Sequence, residues 1–253
     1  MIITLIIIIG LVIGSFLNVC IYRLQKHVSI SQPRSHCPNC KHQLKIWENI
    51  PVLSYLVLRG KCSNCKIKIS LRYPLVEILT ALVFFVIYYY FDISLETFSL
   101  IVFFSIVIII TFIDIDVQLI PNNLLIISIL PIIVYILISQ SNSYLNHIIG
   151  AILLALLFLI IGYFGKLIYK VDSMGMGDVK YAAVIGLLLG WEKGILAFII
   201  AFFSAAVIIV IVSMYKKLSR KQRIPFGPFL SIGCFVAFFW GTNILNWYLG
   251  FYR

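Results

Sequence analysis

The sequence predicts an all-α polytopic membrane protein with about eight transmembrane helices and a zinc-ribbon-like loop after the first. Three observations predict it. The chain is 62% hydrophobic, with a mean hydropathy of +1.08, where a soluble domain is nearer half apolar. Its apolar residues fall in runs near 2–22, 74–91, 97–113, 123–139, 147–169, 179–191, 194–214 and 227–250. Its charges are sparse in those runs, which hold only Glu77, Lys166 and Lys180. A spanning helix needs about 20 apolar residues, so seven runs qualify directly. The sixth is short and contains Lys180.

The first run has no basic residue ahead of it and exceeds the ~7–15-residue apolar region of a signal peptide. Arg23 and Lys26 follow it. The positive-inside rule then places the N-terminus outside and the next loop in the cytoplasm. With eight spans the inside segments are 23–73, 114–122, 165–180 and 215–226. Of the 20 Lys and Arg, only Lys193 and Arg253 fall elsewhere. The net charge of +11 is therefore mainly a signal of topology in the cell membrane, with nucleic acid as a partner the poorer reading of it and none expected. The division expected is 1–22 as the first transmembrane helix, 23–73 as a cytoplasmic Cys₄ loop and 74–253 as a membrane core.

The polar segment 23–73 holds Cys37-Pro-Asn-Cys40 and Cys62-Ser-Asn-Cys65, with 21 residues between the pairs. Two CxxC knuckles at this separation suit a tetrahedral zinc site, with Cys37, Cys40, Cys62 and Cys65 as ligands. Zinc can fold a loop too small for its own core. A reducing cytoplasm argues against disulfides. His36 and His42 flank the first knuckle as substitute ligands, while His27 and His147 show no ligand spacing. Cys20 and Cys234 lie in apolar runs, as small buried hydrophobes do.

Nine acidic residues exist. Asp92, Glu96 and Glu192 fall in short outside loops, Glu48 in the cysteine loop and Asp172 beside the fifth helix end. Asp114 and Asp116 close the third run, and Asp178 opens the sixth behind Gly175-Met-Gly177. Carboxylates at membrane depth cost roughly 2.5–3.5 kcal/mol near the bilayer centre and tend to face a polar cavity. Two held a few ångströms apart can share a proton. One then takes a proton from water while the other donates to a substrate carbonyl. Asp114 and Asp116 differ by about 200° around a helix, so only one can face a given partner. Gly175 and Gly177 permit an irregular backbone and close approach of another chain. Glu77 needs a partner, with Arg72 and Lys180 as basic candidates. Lys180 either tunes Asp178 or snorkels. Gly10, Gly14 and Asn18 read as a helix-packing face.

The chain resembles the type 4 prepilin peptidase family. The resemblance is carried by Gly14-Ser-Phe-Leu-Asn-Val-Cys-Ile-Tyr-Arg23, the paired CxxC loop, Asn49-Ile-Pro-Val-Leu-Ser-Tyr55, Leu58-Arg-Gly-Lys-Cys62 and Ile69-Ser-Leu-Arg-Tyr-Pro-Leu-Val-Glu77. It continues in Ile113-Asp-Ile-Asp-Val-Gln-Leu-Ile-Pro-Asn122, Met174-Gly-Met-Gly-Asp-Val-Lys180 and Ile224-Pro-Phe-Gly-Pro-Phe229. It implies an intramembrane aspartyl endopeptidase with Asp114 and Asp178 catalytic, Asp116 being the rival to Asp114. The site would face the cytoplasm. Its substrates would be prepilin or pseudopilin precursors, with a short basic leader cleaved after a Gly. The resemblance extends to N-methylation of the new N-terminus with S-adenosylmethionine. Two other classes fit intramembrane carboxylates or a metal loop: an ion- or proton-coupled transporter and a membrane scaffold. The absence of an internal repeat weighs against the transporter.

Overall fold

Helices account for all eight apolar runs, and what interrupts them decides where the polar chemistry sits. The structure is a computed structural model that describes residues 1–26, 28–32, 34–139, 143–170, 174–215 and 224–250. Asp172, His27, Arg253 and the basic residues of 216–223 lie outside the described residues. The helices are α1 (Ile2–Gln25), α2 (Leu53–Val57), α3 (Arg72–Phe91), α4 (Leu95–Val117), α5 (Asn122–Ile138), α6 (Tyr144–Tyr169), α7 (Met176–Tyr215) and α8 (Gly227–Gly250), with a 3₁₀ turn at Ile46–Asn49. Six of them are long and apolar enough to cross a membrane. The apolar α5 has 17 residues, about 26 Å at 1.5 Å per residue, close to the hydrocarbon thickness of ~30 Å.

The 40 residues of α7 would run about 60 Å if unbroken, twice that thickness. The helix breaks at Gly190, where φ is 74° and ψ −179°, a conformation only glycine adopts without strain. An outside loop was expected here. Instead one residue makes the break, and Glu192 and Lys193 resume the helix. The break costs the bond that the Trp191 N–H would have made to the Leu187 carbonyl. Two neighbours in α6 replace both halves of it. The Trp191 N–H donates to Asn146 Oδ1 at 3.1 Å, and His147 Nδ1 donates to the Leu187 carbonyl at 2.9 Å. His147 thus has a structural task that its spacing did not reveal.

The chain forms two compact units, Met1–Ile109 and Ile110–Arg253. In the first, α1 packs on α3 through the face expected of Gly10, Gly14 and Asn18. A Cβ on Gly10 would stand 2.6 Å from the Ala81 Cα, and one on Gly14 2.6 Å from the Glu77 Cα. Asn18 Nδ2 bonds the Tyr73 carbonyl at 3.0 Å. In the second unit, α7 packs against α6, α8 and α5. Cys20 and Cys234 are buried among apolar side chains, as expected.

Candidate functional site

In the first unit, the two knuckles fold as copies of one another. The Lys41 N–H bonds the Cys37 carbonyl at 2.9 Å, and the Lys66 N–H the Cys62 carbonyl at 3.1 Å. Each turn then needs a left-handed residue, supplied by Lys41 (φ 57°) and Lys66 (φ 59°). The Cys37 N–H closes on the His42 carbonyl and the Cys62 N–H on the Ile67 carbonyl, both at 2.9 Å. Together the knuckles bring Cys37, Cys40, Cys62 and Cys65 into one group whose sulfurs all lie within 4.8 Å of one another. Asn39 Nδ2 reaches Cys65 Sγ at 3.8 Å and Asn64 Nδ2 reaches Cys40 Sγ at 3.7 Å, so each knuckle supplies an amide donor to the other's sulfur. The Ile67 N–H pulls the Cys65 thiol down to about 6, while burial pushes Cys37 up to about 11. The donor set could hold a metal ion.

His36 and His42 stand outside this set. His36 Nδ1 bonds the Arg34 carbonyl at 3.0 Å, and His42 Nε2 lies 3.3 Å from Glu48 Oε2. Glu48 also accepts the Lys45 N–H at 2.7 Å. Its carboxyl is held below the ordinary range first by the Ser63 hydroxyl, then by the Lys45 N–H and His42. Ser63 belongs to the second knuckle and His42 adjoins the first, so this buried carboxylate ties the two together.

Glu77 is buried but its partner is not a basic side chain. Its Oε2 accepts the Val52 N–H at 2.7 Å. Val52 has φ 59° and ψ −49°, and the Leu53 N–H bonds back to the Pro51 carbonyl. This is a γ-turn of the strained hand, centred on a β-branched residue that rarely adopts positive φ. The carboxylate holds a backbone conformation that the chain alone disfavours. Beside it lies a cavity of about 420 Å³ lined by Asn18, Arg23, Tyr55, Tyr73 and Glu77 among others. Asn18 Oδ1 is buried there with no hydrogen-bond partner.

The second unit holds the aspartates. Helix α4 continues through both Asp114 and Asp116, and the angular argument separates them. Asp114 is 4% exposed, whereas Asp116 is exposed. Asp114 Oδ2 accepts the Gly227 N–H at 2.8 Å, at the start of α8. There Pro228 costs no helical hydrogen bond. Asp178, in the first turn of α7, is half-buried and within range of a direct Coulomb interaction with Asp114.

The two glycines ahead of Asp178 differ from expectation. Neither has a positive φ, so backbone freedom is not what they supply. A Cβ on Gly175 would stand 3.2 Å from Asp178 Oδ2, and one on Gly177 3.1 Å from the Ile120 Cβ. They leave room for the Asp178 carboxylate and for this chain's own Ile120, which follows α4. Lys180 donates to Asn122 Oδ1 at 2.9 Å, at the residue that opens α5. The sequence reading missed Gly227, although the Ile224–Phe229 motif contains it. A Pro-Phe-Gly-Pro string after a basic segment gives no sign that its amide serves a carboxylate 113 residues away.

Comparison with known proteins places the chain in a family. Residues 8–91 match the bacterial peptidase A24 N-terminal domain, and residues 101–210 match the type IV leader peptidase family. A prepilin leader peptidase/N-methyltransferase of Bacillus subtilis is 35% identical over 240 residues, covering 95% of each chain. One of Legionella pneumophila is 33% identical over 269 residues, covering 96% of this chain and 93% of the relative. One of Pseudomonas aeruginosa is 32% identical over 272 residues, covering 97% and 92%. No solved structure matches. A multi-pass helical membrane protein with a four-cysteine cluster, matched along nearly its whole length by these enzymes, belongs to the type IV leader peptidase family.

Proposed function

We propose that this protein removes the short basic leader of type IV prepilin-like or competence pseudopilin precursors, with Asp114 and Asp178 as its catalytic pair. The observation that carries the reading is the Asp114 carboxylate, buried at the end of a membrane helix, fixed by the Gly227 N–H and within Coulomb range of Asp178. Burying a carboxylate is costly unless it has work or a partner. In peptide hydrolysis the ionised member takes a proton from a water whose oxygen bonds to the scissile carbonyl carbon. The protonated member donates to the carbonyl oxygen. Collapse of that adduct breaks the C–N bond, and the leaving amine takes up a proton. The dyad titrates as a pair, with no proton assigned to either member alone.

The distribution of Lys and Arg supports an outside N-terminus and a cytoplasmic site. It also supports the division into a first transmembrane helix 1–22, a cytoplasmic Cys₄ loop 23–73 and a protease core 74–253. The metal is structural zinc. Four bonds of about 2.3 Å to a tetrahedral ion separate sulfurs by about 3.8 Å; Cys37 and Cys65 are 3.8 Å apart, and Cys40 and Cys62 3.9 Å. Bound there, zinc contributes the folding energy that this polar loop lacks.

N-methylation of the new N-terminus is favoured by one observation, the first unit's cavity with its orphaned Asn18 Oδ1. S-adenosylmethionine, when bound, supplies the methyl group. Asn18 Oδ1 would accept an N–H of the donor, with Arg23 and the tyrosines lining the rest.

The deciding experiment is cleavage of a basic-leader pilin-like substrate in membranes by wild type, Asp114→Asn, Asp116→Asn and Asp178→Asn. Near-complete loss in the Asp114 and Asp178 variants, with Asp116→Asn active and all expressed equally, is expected. Full activity in either of the first two sinks the assignment. A cleaved product one methyl group heavier by mass spectrometry reports the second activity.

A further inference from the structure

Below the aspartates, three hydroxyls meet in an apolar interior. Ser231 Oγ lies 2.7 Å from Tyr181 Oη, 2.7 Å from Thr111 Oγ1 and 2.9 Å from the Gly227 carbonyl. A serine hydroxyl donates once and accepts twice, so three polar neighbours fill its capacity. Tyr181 is fully buried and Ser231 8% exposed. An unpaired hydroxyl at such depth costs roughly 1–3 kcal/mol on protein scales. The three therefore have strong reason to hold one geometry.

Their register links them to the site. Thr111 precedes Asp114 by three residues on α4. Tyr181 follows Asp178 by three on α7. Ser231 follows Gly227, the donor to Asp114, by four on α8. Residues three or four apart share a helix face. Each hydroxyl thus lies one turn from a site group on its own helix, and the junction ties those three helices directly beneath the carboxylates.

We infer that Thr111, Tyr181 and Ser231 are positioning residues that fix α4, α7 and α8 so that Asp114 and Asp178 keep their mutual geometry; this rests on the aspartate-pair reading above. None of the three touches the reacting atoms in this account. The Gly227 carbonyl accepts from Ser231 while the Gly227 N–H donates to Asp114, so Ser231 steadies the residue whose N–H orients the catalytic carboxylate.

The test separates hydroxyls from bulk. Thr111→Val keeps the shape and removes the oxygen, Thr111→Ser keeps the oxygen and removes a methyl, and Tyr181→Phe removes one oxygen. Cleavage of the pilin-like substrate is measured at equal membrane abundance, with thermal stability in detergent recorded beside it. Misplacement by an ångström costs about 10²-fold, so Thr111→Val, Tyr181→Phe and Ser231→Ala should lower kcat by ~10- to 100-fold. KM should stay nearly constant, with Thr111→Ser close to wild type. Wild-type kcat in both Thr111→Val and Tyr181→Phe overturns the inference. So does equal impairment in Thr111→Ser and Thr111→Val, which would mean packing alone. Should Ser231→Ala not accumulate, the two shape-preserving variants decide. Activity in Asp114→Asn would instead bring down the pair itself. Inactive Asp114→Asn beside fully active Thr111→Val and Tyr181→Phe brings down the positioning role alone.

Discussion

Gly227→Ala should damage catalysis without damaging the fold. The added Cβ would stand 2.8 Å from Asp114 Oδ2, where ordinary contact begins at 3.4 Å. The carboxylate must therefore withdraw by about 0.6 Å, and it cannot do so while keeping the 2.8 Å bond from the residue 227 N–H. At about 10²-fold per ångström of misplacement, that shift alone is worth roughly 15-fold. Loss of a hydrogen bond to a charged group is worth about 1.5–3 kcal/mol. Both figures describe one displacement, so they do not add, and the expected fall in kcat is ~10- to 100-fold. The backbone gives no reason for instability. Gly227 has no positive φ, and alanine is favoured over glycine in helices by about 1 kcal/mol. Initial cleavage rates over a range of substrate concentrations, in membranes matched for protein by immunoblot, measure the effect. Wild-type kcat in Gly227→Ala would refute the claim that this amide sets Asp114. Lost activity in step with lost protein would refute the claim that the fold is spared.

Two further outcomes follow from the first unit. Purified protein should carry one zinc per chain by elemental analysis, and a strong chelator or Cys40→Ser should remove it and expose the 37–68 segment to protease, whereas a metal-free preparation with a protease-resistant loop contradicts the four-sulfur site. Glu77→Ala orphans the Val52 N–H and should cost about 1–3 kcal/mol, read as a lower Tm, while Glu77→Gln, whose amide oxygen can accept the same N–H, should cost less; equal losses would refute the acceptor role and show that the negative charge is what the turn requires.

What could be read from the sequence depended on whether a residue's task is written in its own neighbourhood. Apolar runs reveal membrane helices because the bilayer imposes length and composition on each separately. The cysteine knuckles were equally legible, since spacing alone makes each one a ligand pair. Helical geometry said that Asp114 and Asp116 could not face one partner, the family resemblance favoured Asp114, and the structure buries Asp114 while exposing Asp116. Glu77 was recognised as needing a partner, but a Val52 amide in a strained turn has no signature in residue type. Gly175 and Gly177 illustrate the same limit. A glycine can serve a backbone angle or a crowded neighbour, and only the position of Ile120 and of the Asp178 carboxylate shows it is crowding here. The break in α7 sharpens the point. Glu192 and Lys193 foretold an interruption, yet the interruption is tolerable only because Asn146 and His147 take over the two halves of the lost bond. In a bilayer no water substitutes for a missing partner. The departure from regular helix at Gly190 therefore implies specific polar groups elsewhere in the chain, and Asn146 and His147 are those groups.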